Sequence, residues 1–115
     1  MSNFNPPNQQ SSTGALPIVA PSTTPVGGAV TTIASGGTAV TVFAAGAIQN
    51  VADIQNPATA TETLYVDITG ATAAAGSGTA FGLAPGQSYR ISAPIATAVS
   101  AVAATPGHAF VAVRY

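Results

Sequence analysis

The chain has almost no charge. Its 115 residues include two basic and three acidic side chains, 4% charged in all, whereas an ordinary soluble domain is about one quarter charged. Lysine is absent, the cations are Arg90 and Arg114, and the anions are Asp53, Glu62 and Asp67. Met1 to Ala52 carries no charged side chain at all. Each scarcity removes a class of chemistry. Two arginines cannot release enough counterions for nonspecific electrostatic binding to nucleic acid. Three scattered carboxylates and one histidine form no recognised metal-ligand spacing, so no metal and no cofactor is expected. Without cysteine there is neither a disulfide framework nor a thiolate site.

Tryptophan is also missing, and large apolar residues are few: four Phe, three Tyr, one Met and a modest set of Val, Ile and Leu. Apolar burial is worth about 25 cal/mol per Å², so an Ala-rich core stabilises less than a Leu- or Phe-rich one. Small domains are marginal already, and burial against neighbouring subunits would relieve the shortage. Mean hydropathy of +0.42 with net charge −1 argues against disorder of the whole chain. The most apolar run, Ala39 to Ile48, is too short to span a bilayer and is interrupted by Thr41 and Gly46, so no membrane partner is expected. Met1 to Gln10 is polar with no basic region ahead of an apolar one, so synthesis in a cytoplasm is the expectation.

The composition shifts near Gly27–Gly28. Residues 1–28 are rich in Pro, Asn, Gln, Ser and Thr, with prolines at 6, 7, 17, 21 and 25 that oppose helix and deny strand hydrogen bonds. This segment is expected to be an extended arm, with Phe4, Leu16, Ile18 and Val19 as apolar anchors for a neighbouring surface. Residues 29–115 read as β throughout. Strands are expected over Val30–Ser35, Thr38–Ala44, Val51–Gln55, Thr63–Ile68, Thr79–Leu83, Ser88–Ile91, Ala98–Ala103 and Ala109–Tyr115. Pro85–Gly86 and Pro106–Gly107 suit type II turns, and Gly36–Gly37 a tight hairpin. Ala71–Ala75, flanked by glycines, reads as a loop despite its helix propensity. The spacing predicts an all-β fold, an antiparallel β-sandwich or jelly roll of about eight strands with an extended N-terminal arm.

Catalytic candidates are thin. His108 with Asp67 or Asp53 and a serine could nominally make a hydrolase triad, but no Gly-x-Ser-x-Gly elbow exists. His108 follows a Pro-Gly turn, and the expectation is a turn histidine with no role or one packing at an interface. Asp67 and Glu62 could serve as facing carboxylates of a glycosidase, yet solvated turn and strand-edge acids are the expectation for both. Gly76-Ser-Gly78 lacks the Lys and helix of a phosphate cradle. No catalytic residue is assigned and no enzyme is expected. Arg90 and Arg114 are expected to pair with the few acids or to make interface contacts.

At Ile54-Gln-Asn-Pro57, Leu64-Tyr-Val66, Leu83-Ala-Pro-Gly-Gln-Ser88, and the closing run from Val99 through Gly107-His-Ala-Phe-Val-Ala-Val113, the chain resembles small virion proteins of tailed bacteriophages. The resemblance covers Thr38 to Tyr115 and leaves the arm unmatched. It implies a structural subunit on a capsid surface, made in the host cytoplasm. A capsid decoration (cement) protein would oligomerise, expected as a trimer, and bridge copies of the major capsid protein or another virion protein. A head or tail fibre or baseplate subunit anchored by the arm is the structural alternative. A carbohydrate-binding β-sandwich is the alternative from another class, with Tyr65, Tyr89 and Tyr115 as its only aromatic platforms apart from phenylalanine.

Overall fold

The computed structural model describes residues 24–115. Among them ten strands form and no helix. They are β1 (Val26–Gly27), β2 (Thr32–Ile33), β3 (Val40–Phe43), β4 (Ala52–Gln55), β5 (Leu64–Asp67), β6 (Ala80–Leu83), β7 (Ser88–Ile91), β8 (Val99–Val102), β9 (His108–Ala109) and β10 (Val111–Arg114). One four-stranded sheet runs β1-β10-β4-β7, the other β3-β8-β5-β6, and β2 pairs with β9 in a two-stranded sheet. Every pairing is antiparallel.

The pairings are nested. The first strand pairs with the last (β1 with β10), then β2 with β9 in the small sheet, β3 with β8, β4 with β7 and β5 with β6. Apart from β2 and β9, alternate pairs of this long folded hairpin fall in opposite sheets, and β10–β4 and β8–β5 contacts complete each sheet. Inward residues of both sheets meet in one core: Ala52, Ile54, Ile91 and Ala112 from the first, and Val42, Phe43, Leu64, Val66, Leu83, Val99 and Ala101 from the second. The molecule is therefore the all-β sandwich that the strand spacing predicts. The strand alternation places these side chains, since Leu64 and Val66 face the core and Tyr65 faces away. At the open side, Phe81 of β6 and Tyr89 of β7 close the gap between the two edge strands with ring centroids 4.6 Å apart.

All eight expected strands contain a strand of the structure, and the differences have local causes. The expected Ala109–Tyr115 strand breaks at Phe110, whose N–H bonds Thr31 O at 2.9 Å as the chain leaves the small sheet for the first large one. Val26–Gly27, at the end of the segment read as arm, is already strand, opposite Arg114 and Val113. The next two residues bridge the sheets, Gly28 N–H bonding Ala112 O and Ala29 N–H bonding Val42 O. Gly36–Gly37 does turn, with Thr38 N–H on Ser35 O at 3.1 Å, but β2 and β3 lie in different sheets and no hairpin forms. Pro85–Gly86 makes the expected turn, with Gly86 at φ 87 and Gln87 N–H bonding Ala84 O at 2.9 Å. Residues 69–79 are a loop. Phe4, Leu16, Ile18 and Val19 lie outside the described residues.

Candidate functional site

Among the described residues, clusters of polar side chains stand out in three places. The first is the end of the sandwich where β4, β6 and β8 finish and β5, β7 and β9 begin. Asn56, buried in the turn after β4, donates its side-chain amide to Glu62 O and Leu83 O, each at 2.8 Å. Its backbone N–H bonds Gln87 O at 2.9 Å and its carbonyl accepts Gly86 N–H at 2.7 Å. One residue thus ties the β4–β5 and β6–β7 connections together. His108 stands at the start of β9 with Nε2 2.8 Å from Asn56 Oδ1 and Nδ1 3.0 Å from Glu62 Oε2. Glu62 also accepts the Thr105 hydroxyl at 2.7 Å and the Thr105 N–H at 2.9 Å. The Thr105 hydroxyl and N–H, aided by His108 and opposed by partial burial, hold the Glu62 carboxyl below the usual carboxylate range. A cleft of ≈ 270 Å³ opens beside this cluster, one wall running from Pro57 to Glu62 and the other from Thr105 to Ala109.

Two expectations change here. His108 is not an idle turn residue: its side chain is 5% exposed and both ring nitrogens are engaged. Glu62 is not a freely solvated acid. The ring nitrogens face Glu62 and Asn56 rather than a serine hydroxyl, so the nominal triad is not assembled.

The second place is the outward face of the second sheet. Asp67, expected at a solvated strand edge, is 0% exposed. The loop after β5 folds over it. Asp67 Oδ1 accepts the Thr69 N–H at 2.8 Å and the Thr69 hydroxyl at 2.6 Å, and Oδ2 accepts the Thr79 hydroxyl at 2.5 Å. Burial pushes this carboxyl up, and the bonds from Thr69 and Thr79 together outweigh it, leaving it below the usual carboxylate range. Glu62 and Asp67 stand at opposite ends of β5, about 16 Å of extended chain apart, too far to face each other across one glycosidic bond.

The third place is the outward face of the first sheet. Val113, Asp53 and Arg90 form one cross-strand row, and Val111, Gln55 and Ser88 the next. Arg90 pairs with Asp53 at 2.9 Å, as the scarcity of acids suggests, and its guanidinium lies 5.9 Å from the centre of the Tyr115 ring. Val111 is 46% exposed. These residues line a shallow depression of ≈ 440 Å³. Arg114 makes no ion pair among the described residues.

Among the described residues no three His, Asp or Glu side chains converge as metal ligands would. Sequence reasoning missed the Asn56–Glu62–His108 cluster because its members come from separate turns with no diagnostic spacing. The available signal was rarity: in a chain this short of ionisable groups, the one histidine and one glutamate were the natural pair to seek. The chain matches no protein-family model, no curated protein and no solved structure.

Proposed function

We propose that this chain is a structural subunit of a tailed-bacteriophage particle, a capsid decoration protein that oligomerises and bridges major capsid proteins. The observation that carries the reading is the outward face of the β1-β10-β4-β7 sheet. It presents Val111, Val113 and Tyr115 beside a single ion pair, Arg90–Asp53, so it offers apolar area with almost no charge to desolvate. We read the nested strand pairing as a jelly roll, an architecture found in viral capsid proteins and in lectins. Fold alone does not assign function, and the resemblance at Ile54–Pro57, Leu64–Val66 and Leu83–Ser88 tips the reading toward the virion. Adhesion through a broad face also suits a chain whose acids are engaged in internal hydrogen bonds and ion pairs. In a fibre or baseplate subunit the same face would meet other copies, and the arm would be the anchor.

The test is heat resistance of particles made with and without the protein. Decoration requires that particles lacking it release DNA at lower temperature and that added protein restores resistance. Equal resistance in both preparations contradicts it. A second reading, a carbohydrate-binding module, is favoured by the Tyr115 ring beside Gln55, Ser88, Asp53 and Arg90 in the same depression. Binding on a glycan array that Tyr115→Ala abolishes would select it.

A further inference from the structure

We infer that His108 carries a hydrogen on each ring nitrogen in the folded protein, making the end-loop cluster an imidazolium–carboxylate latch that loosens the two walls of its cleft when the ring loses a proton. The inference stands independently of any place on a virion.

Hydrogen-bond geometry carries it. The Asn56 side-chain atom that meets Glu62 O and Leu83 O must be the nitrogen, because an oxygen there would face two carbonyl oxygens. The atom 2.8 Å from His108 Nε2 is therefore Oδ1, which can only accept, and Nε2 must donate. On the other side, Nδ1 lies 3.0 Å from Glu62 Oε2. That carboxylate accepts the N–H and hydroxyl of Thr105, which favour its ionised form. A neutral ring with hydrogen on Nε2 would turn the Nδ1 lone pair toward a carboxylate oxygen. The other tautomer would turn the Nε2 lone pair toward an amide oxygen. Either contact sets lone pair against lone pair where the side chain is 5% exposed and water offers little relief. With Glu62 ionised, only the imidazolium satisfies both partners.

Glu62 is the one titratable or charged group facing the ring among the described residues. The turn after β4 supplies Asn56, the segment before β9 supplies Thr105, and β2 meets β9 at Ile33 and Thr32. The cleft walls, 57–62 and 105–109, are joined by the Glu62–Thr105 and Glu62–His108 bonds. The latched form pairs the protonated ring with the ionised Glu62 carboxylate, so it is lost when Nδ1 gives up its hydrogen. Protonation of Glu62 removes the same tie from the acid side.

His108 is the one histidine of the chain, so in tag-free, uniformly ¹⁵N-labelled protein the long-range ¹H–¹⁵N spectrum reports it without assignment. Near neutral pH both ring nitrogens should resonate close together in the protonated range. Two widely separated resonances, one of them a bare nitrogen, overturn the inference. In Glu62→Gln the new amide can donate to Nδ1, so the ring should convert to the neutral Nε2–H form, and an unchanged doubly protonated ring contradicts the pairing. A titration of the unmodified protein covers the case in which that variant does not fold. On raising the pH, the backbone amides of Glu62, Thr105 and His108 should shift together with the ring while those of Thr69 and Thr79 stay put. Ring titration that leaves Glu62 and Thr105 unmoved refutes the latch.

Discussion

Asp67 and Ser100 are direct partners across β5 and β8, on the sheet face turned away from the core, and both are buried. The loop after β5 covers them. Ser100 Oγ accepts the Ala73 N–H at 2.8 Å and donates to Ala71 O at 3.0 Å, while Asp67 gathers Thr69 and Thr79. No cation pairs with Asp67 among the described residues, so hydrogen bonds alone offset its desolvation. The loop thus covers the part of the second sheet's outward face around Asp67 and Ser100, while Thr41 and Gly82 on that face stay exposed.

Asp67→Asn should therefore be among the more damaging single substitutions. Hydrogen bonds to a charged group contribute about 1.5–3 kcal/mol each, and the neutral amide keeps only weaker ones, its oxygen accepting from Thr69 and its NH₂ donating to the Thr79 hydroxyl in a reversed bond. A loss of about 2–3 kcal/mol is expected in urea unfolding, with faster hydrogen exchange confined to residues 69–79 at first. A change below about 0.5 kcal/mol would show that the loop is held by packing alone.

Acid should destabilise the fold through the same carboxylates. Glu62 and Asp67 both lie below the usual carboxylate range in the folded protein. Their stabilisation is fully present above the unfolded values of about 4 and is lost as pH falls through the depressed folded ones. Thermal melts should hold steady from neutral pH down to about 5 and fall below about 4. The fall should be shallower in Asp67→Asn, which has already lost one of the two groups.

Much of the fold could be read from the chain before any coordinates. Val, Ile and aromatic residues alternating over Leu64–Asp67 and Ser88–Ile91 dictate strands and their core faces, and Pro85–Gly86 dictates a turn. Burial of Asp67 could not be read, because it depends on a loop folding back over a face that alternation marks as solvent-exposed. The His108–Glu62 contact joins residues separated by 46 positions and is produced by the nesting of the strands. Arg90–Asp53 was legible only as a rule of scarcity, and their adjacent strands, β7 and β4, supply the register that makes it real.

Neighbouring glycines in one turn should respond differently to alanine. A Cβ on Gly36 would fall 2.1 Å from the Ala104 carbonyl oxygen, so backbone has to move, at a cost of about 1–3 kcal/mol or more. Gly37, at φ 76, has open space and meets only the left-handed backbone penalty of about 1 kcal/mol. Denaturant midpoints of Gly36→Ala and Gly37→Ala should rank in that order, and the reverse ranking would place the turn differently against β8.

Arg90→Ala should separate binding from folding. The Arg90 side chain is 57% exposed, and exposed ion pairs contribute about 0–1 kcal/mol. Unfolding free energy is expected to fall by less than about 1 kcal/mol, while attachment to a partner through the Val111–Val113–Tyr115 face weakens. A large stability loss with unchanged attachment would make Arg90 a structural residue instead.

We propose that this chain adheres to a particle through the outward face of its first sheet. Cryo-electron microscopy of particles purified from the native source tests it most directly. The expected map shows the sandwich at repeated positions outside the capsid shell, with Val111, Val113 and Tyr115 against capsid protein or a second copy. Particles that carry no such density, and contain none of the chain by mass spectrometry, would contradict it.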